Sequence, residues 1–600
     1  MTIPAPRWDL TNIYPSLESD EFKAAYANLK SQIADLEDFF VEVVDKADVG
    51  KPAEQLGAII GETVNQFNKV YALTSTLSPY INCLVDTNSR DKLAVRTQSE
   101  YQQATVPLRK LNVRFTDWMG KLQPVLDKAI SCNDTAQAHA FNLKEAADQS
   151  KYLMSQPEEG LAAELTLSGG RAWGKLQSTI TSQITVDFEL DGKTEKLPMP
   201  ALLNLRTHAD EDVRHRAYDA ENKAWDTVRE TLAACMNGVK GEVITLNKRR
   251  EREDALHSAL DAARIDRKTL EAMLEAMRDS FPMFRKYFNH KAKLIGKEKL
   301  AWWDLFAPVG SAGKSVTYEE ARDFILKNFA NFSPELASFA KRAFDNNWID
   351  AEMRDGKGPG GYCTEIQEKQ ESRIFVNFDG SQDQISTIAH ELGHAFHNEC
   401  AFQFKKTMLQ QDTPMTLAET ASTFCETIVT EALLAQTSDP QEELSILEGQ
   451  LNGASQVIVD IYSRFLFEKE VFERREQAEL SSDDFCDIME RAQKASYGDG
   501  LDERYLQKYM WTWKPHYYSV GLSFYNFPYA FGLLFGTGLY AIFKERGEAF
   551  VQDYKQLLAS TGEATAADLA DRFGIDIRTK KFWADSLAII GKRVDRYCEL

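Results

Sequence analysis

Cysteine is sparse and scattered. The 600 residues contain 8 Cys, none in a C-x-x-C pair. That spacing excludes a disulfide framework and reads as free thiols in a reducing, cytoplasmic setting. Positive charge is in deficit, with 70 Lys and Arg against 91 Asp and Glu and a net charge of −21. A nucleic-acid partner, which wants a basic footprint, is therefore not expected. The basic run Lys248-Arg-Arg-Glu-Arg252 is mixed in sign and reads as a solvated helix end. The N-terminus, Met1 to Leu10, lacks an apolar signal core. Charge is missing altogether from Pro515 to Phe543, a length that suits a membrane span. That run, however, carries His516, Asn526, Pro528, Gly532, Gly536 and Gly538, and no basic flank. Polar breaks are costly in lipid and useful in a buried wall. A buried wall and no stable membrane association are the expectation.

What is present is an ordinary globular composition, 43% hydrophobic and 27% charged. The length allows more than one structural layer or domain. Apolar residues recur at helical spacing over Asp20–Glu37, Glu54–Leu77, Asp212–Trp225 and Arg267–Phe281. Ile184–Leu190 and Lys193–Leu197 flank Asp191-Gly192, a two-residue hairpin turn. His139 reads as a helix-surface or core residue, and His208, His215, His257 and His290 as solvated-surface histidines. Asp355-Gly-Lys-Gly-Pro-Gly-Gly-Tyr362 reads as a flexible loop without the phosphate-loop order. Strand-like Cys363–Ile366 and Arg373–Phe378 follow it. Glycines beside a strand edge let a second backbone approach, so Gly360, Gly361 and Tyr362 suit a peptide bound as an added strand. A plain surface hairpin is the competing reading.

The chemistry concentrates in His390-Glu-Leu-Gly-His394, in a chain with only 9 His. Ser381 and Gln384 form a capping-box pattern, and Ile385, Ile388, Leu392 and Phe396 continue at helical spacing. Residues four apart share a helix face, so His390 and His394 can aim at one metal ion. Glu391 sits about 100° further round, placed to take a proton from water. Gly393 costs about 1 kcal/mol of helix propensity, which implies a close neighbouring backbone. Catalytic zinc wants a third protein ligand. Glu419 is the leading candidate, although Thr416-x-x-Glu419 is itself a capping box. Glu426, two turns on, is an alternative ligand or a partner for a ligating histidine. His397 extends the histidine stripe as a further rival.

His390-Glu-Leu-Gly-His-Ala-Phe-His397, followed by Leu417-Ala-Glu-Thr-Ala-Ser422, resembles the oligoendopeptidase F and thimet oligopeptidase family of zinc peptidases. Further matches are Arg7-Trp-Asp-Leu-Thr-Asn-Ile-Tyr14, Trp303-Asp-Leu-Phe-Ala-Pro308, the Gly356 to Tyr362 loop and Asn377-Phe378. The likeness spans most of the chain and is nearest the oligoendopeptidase F branch. It implies Glu419 as third ligand to one Zn²⁺, with Glu426 and His397 supporting or packing around the ligands. It also implies a mainly helical, two-part clamshell with a deep channel and a small β-sheet beside the metal helix. Residues 1–200 would be a scaffold or lid ending in the hairpin, and 201–600 the zinc peptidase domain. His516 matches the family's C-terminal histidine. Tyr525 and Tyr529 are counterparts of its oxyanion-stabilising tyrosine, with Pro528 departing from the thimet-type pattern. The expected activity is cleavage of internal bonds in short, unstructured peptides, with Glu391 as general base. An exopeptidase with the same metal chemistry is the nearest rival; it needs a cation for the terminal carboxylate, and no residue is assigned to that. A non-catalytic peptide-binding or membrane protein is the rival of a different class. Oligomeric state and cleavage preference are not legible.

Overall fold

The computed structural model describes residues 5–311 and 315–600. The chain is 72% helical, and its strands form one two-stranded and one three-stranded sheet among the described residues. The helices follow the apolar spacing. Ser19 caps Asp20–Glu42 by accepting the Phe22 N–H, and Asp20 and Glu21 face the positive end of the helix dipole. Leu29, Ile33, Leu36 and Phe40 are buried. Because Phe40 continues the apolar face, the helix outruns the predicted end at Glu37. Ala53–Thr87 passes through Pro79 and buries Leu56, Ile60, Val64, Phe67, Leu77 and Tyr80. Arg267–Leu294 likewise passes Pro282. In the hairpin, β1 (Thr185–Leu190) pairs antiparallel with β2 (Lys193–Pro198). Asp191 and Gly192 both take positive φ, 52° and 74°, as a type I′ turn requires.

Two compact units emerge from the contacts, each built from three stretches. Unit 1 is Met1–Leu153, Lys314–Ala432 and Ile542–Gly574; unit 2 is Met154–Gly313, Leu433–Ala541 and Ile575–Leu600. A division near residue 200 does not coincide with these boundaries. The chain changes unit after Leu153 because the following helices pack on Arg229–Arg249, where Glu242 accepts from the Thr166 hydroxyl (2.6 Å) and the Gly170 N–H.

Unit 1 carries the second sheet: β3 (Ile349–Asp350), β4 (Tyr362–Ile366) and β5 (Glu371–Phe375), in order β3-β5-β4, with β4 antiparallel and β3 parallel to β5. β4 is therefore an edge strand. Its last residue, Ile366, is buried in the same core as Leu36, Phe67 and Tyr80, which fixes the sheet to the N-terminal helices. The early Arg7–Tyr14 segment lies against the sheet: buried Arg373 donates to Asp9 O (3.0 Å) and Asn12 Oδ1 (2.6 Å). The glycine loop before β4 is pinned where the sequence predicts flexibility. Lys357 Nζ donates to Val376 O (2.6 Å) and pairs with Asp350 (2.8 Å), while Asn377 Nδ2 donates to Gly358 O and Gly360 O, both 3.1 Å.

Unit 2 holds the hairpin and a helical pack in which Arg267–Leu294 runs beside Lys580–Glu599, with Tyr287, Lys291 and Tyr597 all bonded to buried Glu448. The four histidines expected on its open surface are instead partly buried; His215 stacks on Trp303 with centroids 4.0 Å apart. The uncharged run forms the short turn Pro515–Tyr518 and the first part of helix Phe527–Arg546, most of whose apolar residues are buried. No helix among the described residues is long and apolar enough to cross a membrane.

Candidate metal centre

The helix Gln382–Gln403 carries the H-E-x-x-H residues. Ser381 is its N-cap residue, but the predicted box with Gln384 does not form. Asp379 takes that part: its Oδ1 accepts the Ser381 N–H at 2.9 Å. Gly393 is the point of closest approach to the next helix, Thr420–Gln436. A Cβ at Gly393 would lie 2.4 Å from Ala421 O and 2.6 Å from Ser422 Cα. The glycine therefore permits the backbone contact that brings Glu419 alongside the histidines.

His390, His394 and Glu419 offer ligand atoms all within 4.8 Å of one another. His390 Nε2 and His394 Nε2 lie 3.2 and 3.4 Å from Glu419 Oε2. The Glu419 side chain is turned to the histidines, so the competing Thr416 capping box is not its role. Sequence reasoning passed over Ser422, whose hydroxyl donates to Glu419 Oε2 at 2.7 Å; its i+3 spacing from Glu419 was the available signal. Glu426 Oε2 lies 3.2 Å from His390 Nδ1, which leaves Nε2 to face Glu419. His397 stands apart. It is buried, and its Nε2 lies 2.9 Å from both Leu558 O and Thr561 Oγ1. That tie joins the metal helix to Ala549–Ala559.

The charges fit a cation. Burial alone would raise the Glu419 pKa, but hydrogen bonds from His390 and His394 hold it far below the usual carboxylate range. Burial alone would lower His390, yet Glu419 and Glu426 lift it to about 10. The cluster thus attracts positive charge, and a two-nitrogen, one-carboxylate donor set suits a divalent ion. Glu391 is 6% exposed, and its Oε2 has no hydrogen-bond partner. Burial raises its pKa, with the two histidines opposing. A buried carboxylate oxygen left unpaired beside such a cluster is a group that native structures rarely leave without a purpose.

A cavity of about 630 Å³ opens here, lined by Gly361, Cys363 and Glu365 on one side and by His390, Glu391 and Glu419 on the other. Gly361 leaves room for the base: a Cβ there would sit 3.4 Å from Glu391 Oε1 and 3.3 Å from Phe375 O. Gly360 has φ of +88° and open space around it. Tyr362 also lines the cavity, with its ring stacked on Phe375 (5.1 Å) and its hydroxyl donating to Asp86 Oδ2 (2.8 Å).

The remaining predicted residues belong to unit 2. Asn526 Nδ2 donates to His516 Nε2 at 2.8 Å, which leaves the ring proton on Nδ1. Burial, then Arg464, Lys240 and Lys514, push His516 down to about 3, so its ring is neutral at working pH. The Tyr525 and Tyr529 hydroxyls are 2.9 Å apart.

The model of Peptidase family M3 matches residues 204–589, and that of Oligopeptidase F matches 123–185. Oligopeptidase PepF of Bacillus subtilis is 22% identical over 99% of this chain and 87% of its own length. An oligoendopeptidase F homolog of Lactococcus lactis is 23% identical over 96% of this chain and 94% of its own. Among solved structures, oligoendopeptidase-F from Enterococcus faecium superposes with a TM-score of 0.69 at 19% identity, covering 96% of this chain and 98% of its own. At that identity the structural likeness speaks for the mainly helical fold alone. The match across more than half of the sequence places the chain in peptidase family M3, and it is a metallopeptidase.

Proposed function

We propose that this chain is a zinc-dependent endopeptidase of short, unstructured oligopeptides. The observation that carries the reading is the convergence of His390, His394 and Glu419 on one point beside the unpaired, buried Glu391 carboxylate oxygen. His390, His394 and Glu419 would hold one Zn²⁺, with Glu426 fixing His390. When bound, the ion supplies Lewis acidity, making water more acidic and polarising the scissile carbonyl. Glu391 takes the water's proton and passes it to the leaving amine; its burial, which raises its pKa, suits it to both steps. The open edge of β4 and the space at Gly360 and Gly361 accept the substrate backbone as an added strand. His516 would assist or position the substrate, and Tyr529 or Tyr525 would stabilise the developing oxyanion.

The peptidase match over 204–589 supports assigning the catalytic part to 201–600, with 1–200 as scaffold or lid. Eight unpaired cysteines support a reducing cytoplasm. An internally quenched peptide blocked at both ends tests the endopeptidase assignment. Cleavage at an internal bond, abolished by chelation and restored by zinc, is expected. Absence of cleavage in the metal-loaded enzyme would reject it.

A further inference from the structure

Unit 2 contains a group of cations whose charges do not cancel. Arg464 pairs with fully buried Asp460. Lys240 pairs with Glu468 at 2.6 Å, both side chains almost wholly buried. Arg206 and Lys514 are different: among the described residues neither has a carboxylate within ion-pair distance. Both instead lie over one indole ring. Lys514 Nζ is 3.9 Å and the Arg206 guanidinium 5.6 Å from the Trp513 centroid. Arg206 spends one donor on Leu203 O, at 2.9 Å. The Trp513 indole N–H is itself buried and has no acceptor.

Glu221 and Asp460 both favour the charged forms of Arg206 and Lys514, but Asp460 is taken by Arg464. Glu221 already accepts from Trp225 Nε1 (3.2 Å) and Gln507 Nε2 (2.9 Å). Burial holds its pKa up, to about 7. With Arg464 and Lys240 matched by their partners, Arg206 and Lys514 are the two cations of the group left without an ion-pair partner among the described residues. Burial, with Arg464 the next cause, lowers Lys514 to about 7, the mark of an ammonium that has left water without gaining an anion. Arg206, Trp513 and Lys514 are each only partly buried, so a ligand can reach them. Cations over an aromatic face, with an unused N–H beside them, form a site for a carboxylate.

We propose that Lys514 and Arg206, with Trp513, form an anion subsite that takes a carboxylate of the peptide substrate. The inference rests on the peptidase reading for its ligand but not for its geometry. A peptide carries such a group at its C-terminus or on an acidic side chain. Seating the terminal carboxylate there would make binding depend on a free chain end. It would also supply the cation that the exopeptidase alternative lacked in the sequence.

The test uses the full-length, zinc-loaded chain with Glu391→Gln, so that bound peptide survives. Calorimetry compares three versions of one N-acetylated peptide: free acid without Asp or Glu, its C-terminal amide, and the amide with one internal Asp. A carboxylate-bearing version should bind about tenfold more tightly than the plain amide, the value of a hydrogen bond to a charged group. The preference should vanish in Lys514→Met and return in Lys514→Arg, which keeps the charge. Preference for the free acid assigns the subsite to the chain end, and preference for the Asp peptide assigns it to a side chain. Equal binding of all three, or a preference that survives Lys514→Met in a variant with unchanged circular dichroism, would overturn the proposal. Hydrolysis by the wild type is read separately. Cleavage without acid preference sinks this inference alone, whereas preference without cleavage sinks the peptidase reading alone.

Discussion

Gly393 shows how a single residue can be decided by magnitudes. On helix propensity alone, Gly393→Ala should stabilise by about 1 kcal/mol. The added Cβ would, however, meet backbone atoms of Ala421 and Ser422 at 2.4 and 2.6 Å, and backbone cannot yield as a flexible side chain can. Overpacking of that kind costs about 1–3 kcal/mol, so net destabilisation is expected in denaturant unfolding, together with weaker metal binding as Glu419 is pushed away. Glu419 and Glu426 separate in a second experiment. Glu419→Ala should strip the metal from the purified protein, because a ligand is lost. Glu426→Ala should retain metal near one per chain while activity falls about 10–100-fold, the usual effect of removing an orienting partner. Metal analysis with the two outcomes exchanged would reverse their roles. These residues were legible because spacing and chemistry coincide in one short stretch. Ser422 was not, because a hydroxyl next to a carboxylate has no signature until the turn at Glu419 and the helix after it are placed.

At the scale of elements, periodicity located the helices and the Asp191-Gly192 hairpin, since both depend on local pattern and turn chemistry. It misjudged what depends on distant partners. The 355–362 loop reads as flexible from its glycines, yet Lys357 holds it to Asp350 of β3 and to Val376 just after β5, and Asn377 holds the loop's own carbonyls. His397 reads as a rival ligand from its stripe, yet Leu558 and Thr561, some 160 residues away, claim it. That contact has a pH consequence. Burial pushes the His397 ring down to about 4, and burial lowers His139 as well. In the unfolded chain both take up protons below about pH 6.5. Between pH 6.5 and 4 the unfolded state therefore binds more protons, and stability falls as pH falls through that window. Urea unfolding at steps across it should show the decline, with a shallower slope in His397→Gln. A flat profile would mean that the ring is not held neutral.

At the scale of the whole molecule, sequence reading reached the mainly helical class and the family resemblance, because matches are spread from Arg7 to His516. It did not reach the way the chain is partitioned. Units made of three stretches each depend on contacts between residues hundreds of positions apart, which no local pattern encodes. Across the whole molecule the proposed chemistry turns on Glu391 as the base of a metal-dependent cut. The most direct measurement is turnover of a doubly blocked, internally quenched peptide by Glu391→Gln, with metal content determined on the same sample. The expected result is a loss of at least about 100-fold with one metal ion still bound per chain. Turnover within a few-fold of wild type at full metal occupancy would contradict the account.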